Sequence, residues 1–522
     1  MADITSNATT AGLWSAACRL FGDRPFLVHL DADGRREEFS YTEFAALIHR
    51  AAHALQSMGV GHGDAVVLQL HNRPEMLTAL FGLAELGAIA VPLNRDAPPT
   101  ELLHAHGACG ARWAVVEDGL LDSHLRLQDA GVAGSGVLGV SGFQRLCREQ
   151  PGHPVADTAV TDLTVAELLY TSGTTAAPKG VMITHANLVF SGQYGVWQTS
   201  LRCDDRVFTT MPACHSNFQL AALMPVLVAG ATLVMADRYS ASHFWAQVRD
   251  ERATVVQLIA MMARTLLLQP PSPADGCHQV REALYFMPLS DGEKSEFERR
   301  FRLRLLNSYG STESIGWAVT DPPQGERRWP SVGRAGLGYE VGIFDANGVE
   351  VPPGRIGEFR IKGVRGRSLM LGYHDDAEAT AAALGPDGWL RTHDEGYCDA
   401  DGWFYFVDRA VNVIKRAGEN VSATEVECVL TSHPLIAEAA VVGVPDPVRD
   451  KAVKAYVRLQ PGAQLAAPDI VAYCRGLLAP YKVPEFVDFV EDFPRTASLK
   501  IEKRLLHSPS RTAAGLTKGN HR

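Results

Sequence analysis

Hydrophobic positions along the chain switch between two periods. Ala65-Val66-Val67-Leu68, continuing past Gln69 to Leu70, reads as a strand, and Pro74 to Leu86 then carries apolar residues at helical spacing. Ile89-Ala90-Val91-Pro92-Leu93 follows as a second strand. This is the signature of a βαβ unit. The rhythm returns where a helical 217–229 segment leads into ATLVMA, and where a 241–251 helix leads into ATVVQLIA. Strands apolar on both faces and alternating with helices predict an α/β fold with mostly parallel sheets covered by helices. Between Tyr339 and Phe406 the pattern changes to short strands punctuated by Gly and Pro, as in VPPGRIGEFRIKG, which predicts a small β-rich subdomain over about 339–406. After Arg409 a compact α+β unit is expected over 410–507. It has a helix from Thr424 to Thr431, strands AEAAVVGV and KAVKAYVRL, and a helix from Ala467 to Leu478. Residues 508–522 read as a polar tail.

Composition adds exclusions. A chain of 522 residues, 46% hydrophobic and 21% charged, can bury several cores. Its formal net charge of -10 argues against nucleic acid or an anionic membrane as partner. No run reaches the roughly 20 apolar residues that span a bilayer. Nine scattered cysteines without a CxxC pair predict free thiols in a reducing cytosol, hence a cytoplasmic protein.

The chemistry begins at LLYTSGTTAAPKG, residues 168–180. Hydroxyls at Thr171, Ser172, Thr174 and Thr175, glycines at 173 and 180 and the cation of Lys179 suit a phosphate. The stretch fails as a Walker A loop, because Pro178 precedes Lys179 and Gly180 follows it.

Three further segments give the stretch its meaning: NSYGSTES (307–314), GWLRTHDEGYCDADGWFYFVDR (388–409) and PRTASLKIEK (494–503). In this order, over essentially the whole chain, they resemble the adenylate-forming superfamily of acyl-CoA synthetases, peptide-synthetase adenylation domains and luciferases. The intervening text is most similar to the carnitine/crotonobetaine-CoA ligase branch. The resemblance implies a large N-terminal AMP-binding domain over 1–409 and a mobile C-terminal domain over 410–507. It also implies ATP, Mg²⁺ and CoA as cofactors or co-substrates.

Residue by residue, the resemblance assigns the phosphates to Thr171, Ser172, Gly173, Thr174, Thr175 and Lys179. Asn307, Ser308, Tyr309 and Gly310 are assigned to the adenine side, with Tyr309 stacking on the base. Thr312 goes to the α-phosphate and Glu313 to Mg²⁺. Asp394 would take the ribose hydroxyls, its two acceptor oxygens suiting a vicinal diol, with Arg409 beside it. Lys500 is the implied catalytic lysine, quenching charge that develops at the α-phosphate. His215 is the implied gate of an acyl pocket lined by Cys214, Asn217, Phe218, Met287, Pro288, Leu289, Ser314 and Trp317. Gly418, Glu419 and Asn420 form the face that serves thioester formation.

Four departures from the family pattern stand out: His393 in place of the glycine of Thr-Gly-Asp, Leu499 before Lys500, Val411 at the pivot, and bulk over 285–290. The last favours a small or medium acid over a long chain. The resemblance leaves three functions open. The leading one is an acid-CoA ligase. A second is an adenylating enzyme that acts on another oxyanion such as nitrite, or passes its acyl group to a carrier protein or an amine. The third is a weak nucleotide binder, which intact Lys179, Glu313, Asp394 and Lys500 speak against. The residues fix no oligomeric state, a homodimer being one assembly they allow.

Overall fold

The computed structural model describes residues 5–97, 99–129, 136–156, 158–171, 178–286, 289–409, 413–416, 419–446, 450–478, 480–495 and 501–507. The chain divides into two compact units, Met1–Ala410 and Val411–Arg522. No helix among the described residues is long and apolar enough to cross a membrane, and none of the nine cysteines is in a disulfide.

The first unit is built on a seven-stranded and a nine-stranded sheet. In the seven-stranded sheet, Ala65–Gln69 and Ile89–Pro92 pair in parallel around the helix Pro74–Leu86, the βαβ unit read from the sequence. Every residue of Ala65–Gln69 is buried, as a strand covered on both faces requires. Proline at the start of Pro74–Leu86 costs no hydrogen bond there, and Gly87 closes the helix at φ 71°.

In the nine-stranded sheet the neighbouring strands Arg206–Thr209, Val255–Ile259, Glu282–Phe286 and Leu305–Tyr309 all run parallel. The helix expected over 217–229 is broken into Ser216–Phe218, a π turn at Gln219–Leu223 and Met224–Ala229. Pro225 is one cause: it has no N–H to continue the ladder, and a single wide turn takes up the mismatch. Packing is the other. A Cβ at Gly195 would lie 2.3 Å from the Pro225 ring, so the helix His185–Thr199 presses its glycine face directly on this segment.

The change of rhythm after Tyr339 corresponds to a four-stranded antiparallel sheet of Glu340–Phe344, Gly357–Lys362, Trp389–Cys398 and Phe404–Arg409. One short strand inside this region, Gly372–Tyr373, leaves it to join the edge of the seven-stranded sheet beside Lys179–Thr184.

The second unit pairs Ile436–Asp446 with Asp450–Leu459 in an antiparallel ladder, and Phe486–Phe489 adds in parallel. Helices Ala423–Thr431 and Ala467–Arg475 cover it through a core that includes Val426, Leu430, Ile470 and Cys474. The second helix stops three residues before the expected Leu478, with Gly476 as its C-cap.

Candidate active site

Parallel α/β sheets hold ligands beyond the carboxyl ends of their strands, and three of the predicted groups lie at or just beyond such ends: Thr171 ends Val165–Thr171, residues 309–313 begin at the end of Leu305–Tyr309, and His215 follows Arg206–Thr209. Val165–Thr171 and Lys179–Thr184 form an antiparallel pair in which Thr171 faces Lys179. Ser172, Gly173, Thr174 and Thr175, in the connection between them, lie outside the described residues. So do Met287, Pro288, Val411, Gly418, Leu499, Lys500 and the 508–522 tail.

Lys179 Nζ lies over the ring of Tyr373, 5.0 Å from its centroid. The Tyr373 hydroxyl donates to Glu313 Oε1 at 3.1 Å. Burial and the Glu313 carboxylate push the Tyr373 phenol well above its ordinary value. A lysine from one strand end and an acid from another loop thus meet on one aromatic side chain.

Glu313 is held out by a tight turn. Tyr339 Oη accepts from Gly316 N at 3.0 Å and lies within donating distance of the carbonyls of Ser314 and Ser368. Ser311 N donates to Ser314 Oγ at 2.9 Å. The turn forces Ile315 to φ 60°, a conformation a β-branched residue avoids, at a cost of roughly 1–3 kcal/mol. Gly310 is required for a different reason: a Cβ there would approach Gly316 O to 2.6 Å where the two backbones cross.

Asp394 is buried, and the Tyr309 hydroxyl donates to its Oδ2 at 2.7 Å. The Tyr309 ring packs against Phe359, with centroids 4.9 Å apart, so its hydroxyl edge and the carboxylate act as one polar group. Asp394 stands opposite Arg409 in the ladder, which sets these two positions side by side. His393 adopts φ 57°, which accounts for the usual glycine at this position, and its ring lies 3.4 Å from Glu358.

His215 caps Ser216–Phe218, with Nδ1 accepting from Asn217 N at 3.2 Å, so its ring proton sits on Nε2. Ser216 Oγ lies 3.4 Å from this Nδ1 and accepts from Thr312 Oγ1 at 3.2 Å, joining the His215 loop to the Glu313 loop. The Asn217 carbonyl accepts from Gln257, whose oxygen accepts from Thr209. Trp317 stacks on the buried Phe286, with ring centroids 3.9 Å apart.

Several predicted residues serve the fold beneath the site. Asn307 donates to Ser331 O and receives a bond from Ser308 N, while Ser308 Oγ accepts from Gln198. Ser314 is fully buried within its turn and Phe218 within the core, so neither lines a pocket surface as expected; Leu289 is 4% exposed. Cys214 is half-buried, packed against the core. Glu419 and Asn420 lie on a strand, Glu419–Ser422, paired with Val413–Arg416.

The sequence reading missed Tyr373, Ser216 and Gln257. Ser216 was adjacent to a chosen residue, and Tyr373 sits in LGYHD without any motif of its own.

The fit to Mg²⁺ can be tested on Glu313. Its carboxylate takes one hydrogen bond from Tyr373 and is a hard oxygen ligand. Among the described residues no cluster of three or more His, Cys, Asp or Glu could cage a metal alone. One carboxylate plus substrate phosphates is the arrangement that Mg²⁺ tolerates.

Glu167, on the strand leading to Thr171, is 5% exposed, and its Oε2 is enclosed without a hydrogen-bond donor. Burial carries its carboxyl from 4.5 up to about 8, against a smaller opposing effect of Gln219 alongside. The folded chain therefore keeps a proton that the unfolded chain loses, and stability falls as pH rises between these values. The cost by pH 8 is on the order of 3–5 kcal/mol. Glu167→Gln should therefore raise the melting temperature at pH 8 by several degrees and leave it unchanged at pH 4.5. An equal shift at both pH values in thermal scans would contradict this account.

Residues 14–374 match the model of the AMP-binding enzyme family, and residues 425–500 match its C-terminal domain. Crotonobetaine/carnitine-CoA ligase of Salmonella enteritidis is 41% identical over 520 residues, covering 97% of this chain and 100% of that protein. Among solved structures, o-succinylbenzoate CoA synthetase (MenE) from Bacillus subtilis, in complex with its acyl-adenylate intermediate, superposes with TM-score 0.85 and 27% identity. It covers 96% of this chain and 99% of the other. ATP-bound MatB from Rhodopseudomonas palustris gives TM-score 0.85 and 26% identity, covering 94% and 98%.

Proposed function

The chain belongs to the AMP-binding enzyme family, and from that premise we propose that it activates a compact carboxylic acid with ATP and transfers the acyl group to CoA. It is an AMP-forming acid-CoA ligase. In the first half-reaction a carboxylate oxygen attacks the α-phosphorus, the bond to pyrophosphate breaks, and acyl-AMP forms. In the second the CoA thiol loses its proton, sulfur attacks the acyl carbon, and AMP leaves with the carboxylate oxygen.

The observation that carries this reading is the contact path Lys179–Tyr373–Glu313, with Tyr309–Asp394 starting four residues before Glu313. A triphosphate needs a cation and a metal ligand side by side, and a nucleoside needs a buried diol acceptor close to them. In the proposal Lys179 and Thr171 hold the phosphates and Thr312 contacts the α-phosphate. Glu313 would hold Mg²⁺, which when bound neutralises the phosphates. Asp394 and Arg409 hold the ribose, and Lys500 enters at the reacting centre. Gly418, Glu419 and Asn420 serve the thioester step. Nine cysteines outside any disulfide fit the reducing, cytoplasmic setting read from the sequence.

The Phe286–Trp317 stack sets the acyl side. Two rings in contact take up the space a long alkyl chain would need, which supports a small or medium acid. Trp317 also offers a face to a planar or cationic tail. Pyrophosphate release should be measured across short, aromatic, betaine-type and long-chain acids, with nitrite as a non-carboxylate oxyanion. Release with a compact acid, and acyl-CoA only when CoA is present, is expected. Release with nitrite alone, or acyl transfer only to an amine or carrier protein, would refute the ligase assignment.

A further inference from the structure

The geometry points to Tyr373 as a positioning residue that keeps Lys179 and Glu313 from neutralising each other in the resting enzyme and presents both to Mg·ATP. This inference rests on the adenylation reading above.

The backbone of Tyr373 is fixed from two sides. Gly372–Tyr373 pairs antiparallel with the strand that begins at Lys179, Tyr373 facing Val181, and His374 N donates to Gly180 O at 2.8 Å. On the other side Thr380 Oγ1 accepts from Tyr373 N at 2.8 Å. Glu313 is tied to the same segment, since its carbonyl accepts from Met370 N at 2.9 Å. These bonds fix the Cα–Cβ direction of Tyr373 between the Lys179 strand and the Glu313 loop. Its ring lies under the Lys179 ammonium at 5.0 Å, and its hydroxyl reaches the Glu313 carboxylate at 3.1 Å.

Lys179 and Glu313 carry opposite charges against the same side chain, and opposite charges that share a site ordinarily pair. Among the described residues neither Lys179 nor Glu313 takes part in an ion pair; each is bound instead to a different part of one neutral side chain. A direct pair would have to be broken before phosphate could claim the lysine and Mg²⁺ the carboxylate. A cation over a ring and one hydroxyl hydrogen bond to the carboxylate keep both groups ordered without cancelling either charge, so a ligand has no ion pair to break. The rest of the Lys179 strand supplies nothing comparable: Val181 and Ile183 are core, and Gly180 has no side chain.

The test uses the full chain and calorimetric titration of ATP with and without Mg²⁺. Tyr373→Phe keeps the ring and loses the hydroxyl. It should weaken Mg·ATP binding about tenfold and alter Mg-free ATP binding less than twofold. Tyr373→Leu loses both and should weaken Mg-free binding by roughly fivefold or more, because Lys179 is then captured by Glu313. The decisive variant is Tyr373→Leu with Glu313→Gln: removing the competing charge should restore Mg-free ATP binding to near the wild-type value. Unchanged affinities in folded Tyr373→Phe and Tyr373→Leu proteins would overturn the role of Tyr373, as would a double variant no better than Tyr373→Leu. Wild-type protein that binds no ATP would overturn the nucleotide reading as well. Binding without acid-dependent pyrophosphate release would overturn adenylation, while the Tyr373 cycle would still read on its own.

Discussion

Replacing Lys500 with alanine is expected to slow pyrophosphate release by about 10²- to 10³-fold while largely sparing thioester formation from supplied acyl-AMP. Adenylation brings a carboxylate onto a triphosphate, and negative charge accumulates on the carboxyl and α-phosphate oxygens as the transition state forms. One preorganised cation at that point contributes a few kcal/mol that bulk water cannot supply as well. Lys500 ends the stretch that matches the family's C-terminal domain, residues 425–500. The resemblance implies that this domain turns a different face, around Gly418, Glu419 and Asn420, to the site for the second step. A lysine used in only one orientation should matter to only one half-reaction. Rapid-quench assays of the two half-reactions would read the split. Equal losses in both would mean that Lys500 acts through folding or general binding.

The second large effect should follow from Asp394→Ala: a rise in KM for ATP of about 10²-fold or more, with a smaller change in kcat. Hydrogen bonds to a charged acceptor contribute roughly 1.5–3 kcal/mol each, and a ribose diol offers two. The Tyr309 hydroxyl, 2.7 Å from Oδ2, holds the carboxylate before the nucleotide arrives. Asp394→Asn, which keeps an acceptor for Tyr309 but loses the charge, should fall between. The controlling comparison is 2′-deoxy-ATP. Wild type should bind it more weakly than ATP, whereas Asp394→Ala should hardly distinguish the two. A variant that discriminates as well as wild type would show that Asp394 does not touch the ribose.

The parts of this molecule legible in its sequence are those with a short physical range. Ala65–Gln69 and Pro74–Leu86 announce themselves because a buried strand and a buried helix have different apolar periods. The roles proposed for Lys179, Glu313 and Asp394 come from the motifs around them, which resemble those of the family. Lys500 remains a reading of sequence, since it lies outside the described residues.

What stayed hidden depends on distant packing. The π turn at Gln219–Leu223 arises where Pro225 meets Gly195 of another helix, and no local pattern encodes that meeting. Tyr373 is invisible for the same reason: its role exists only because Gly372–Tyr373 leaves the β-rich region to pair with the Lys179 strand. His393 shows the intermediate case. The sequence marks a glycine position filled by a side chain, and the structure gives its meaning, a φ of 57° adopted without a glycine's freedom. The bulk at 285–290 was legible too, but the partner of Phe286, Trp317 at 3.9 Å between ring centroids, lies far away in sequence and appears only in the fold.

The account stands most directly on the covalent path of one oxygen atom. An acid that supports turnover, labelled with ¹⁸O in both carboxyl oxygens, should be converted with ATP and CoA in a single turnover and the products weighed. Attack on the α-phosphorus, then loss of AMP to the thiol, predicts one labelled oxygen in AMP, one in the thioester and none in pyrophosphate. Label in inorganic phosphate with formation of ADP, or AMP free of label, would contradict it.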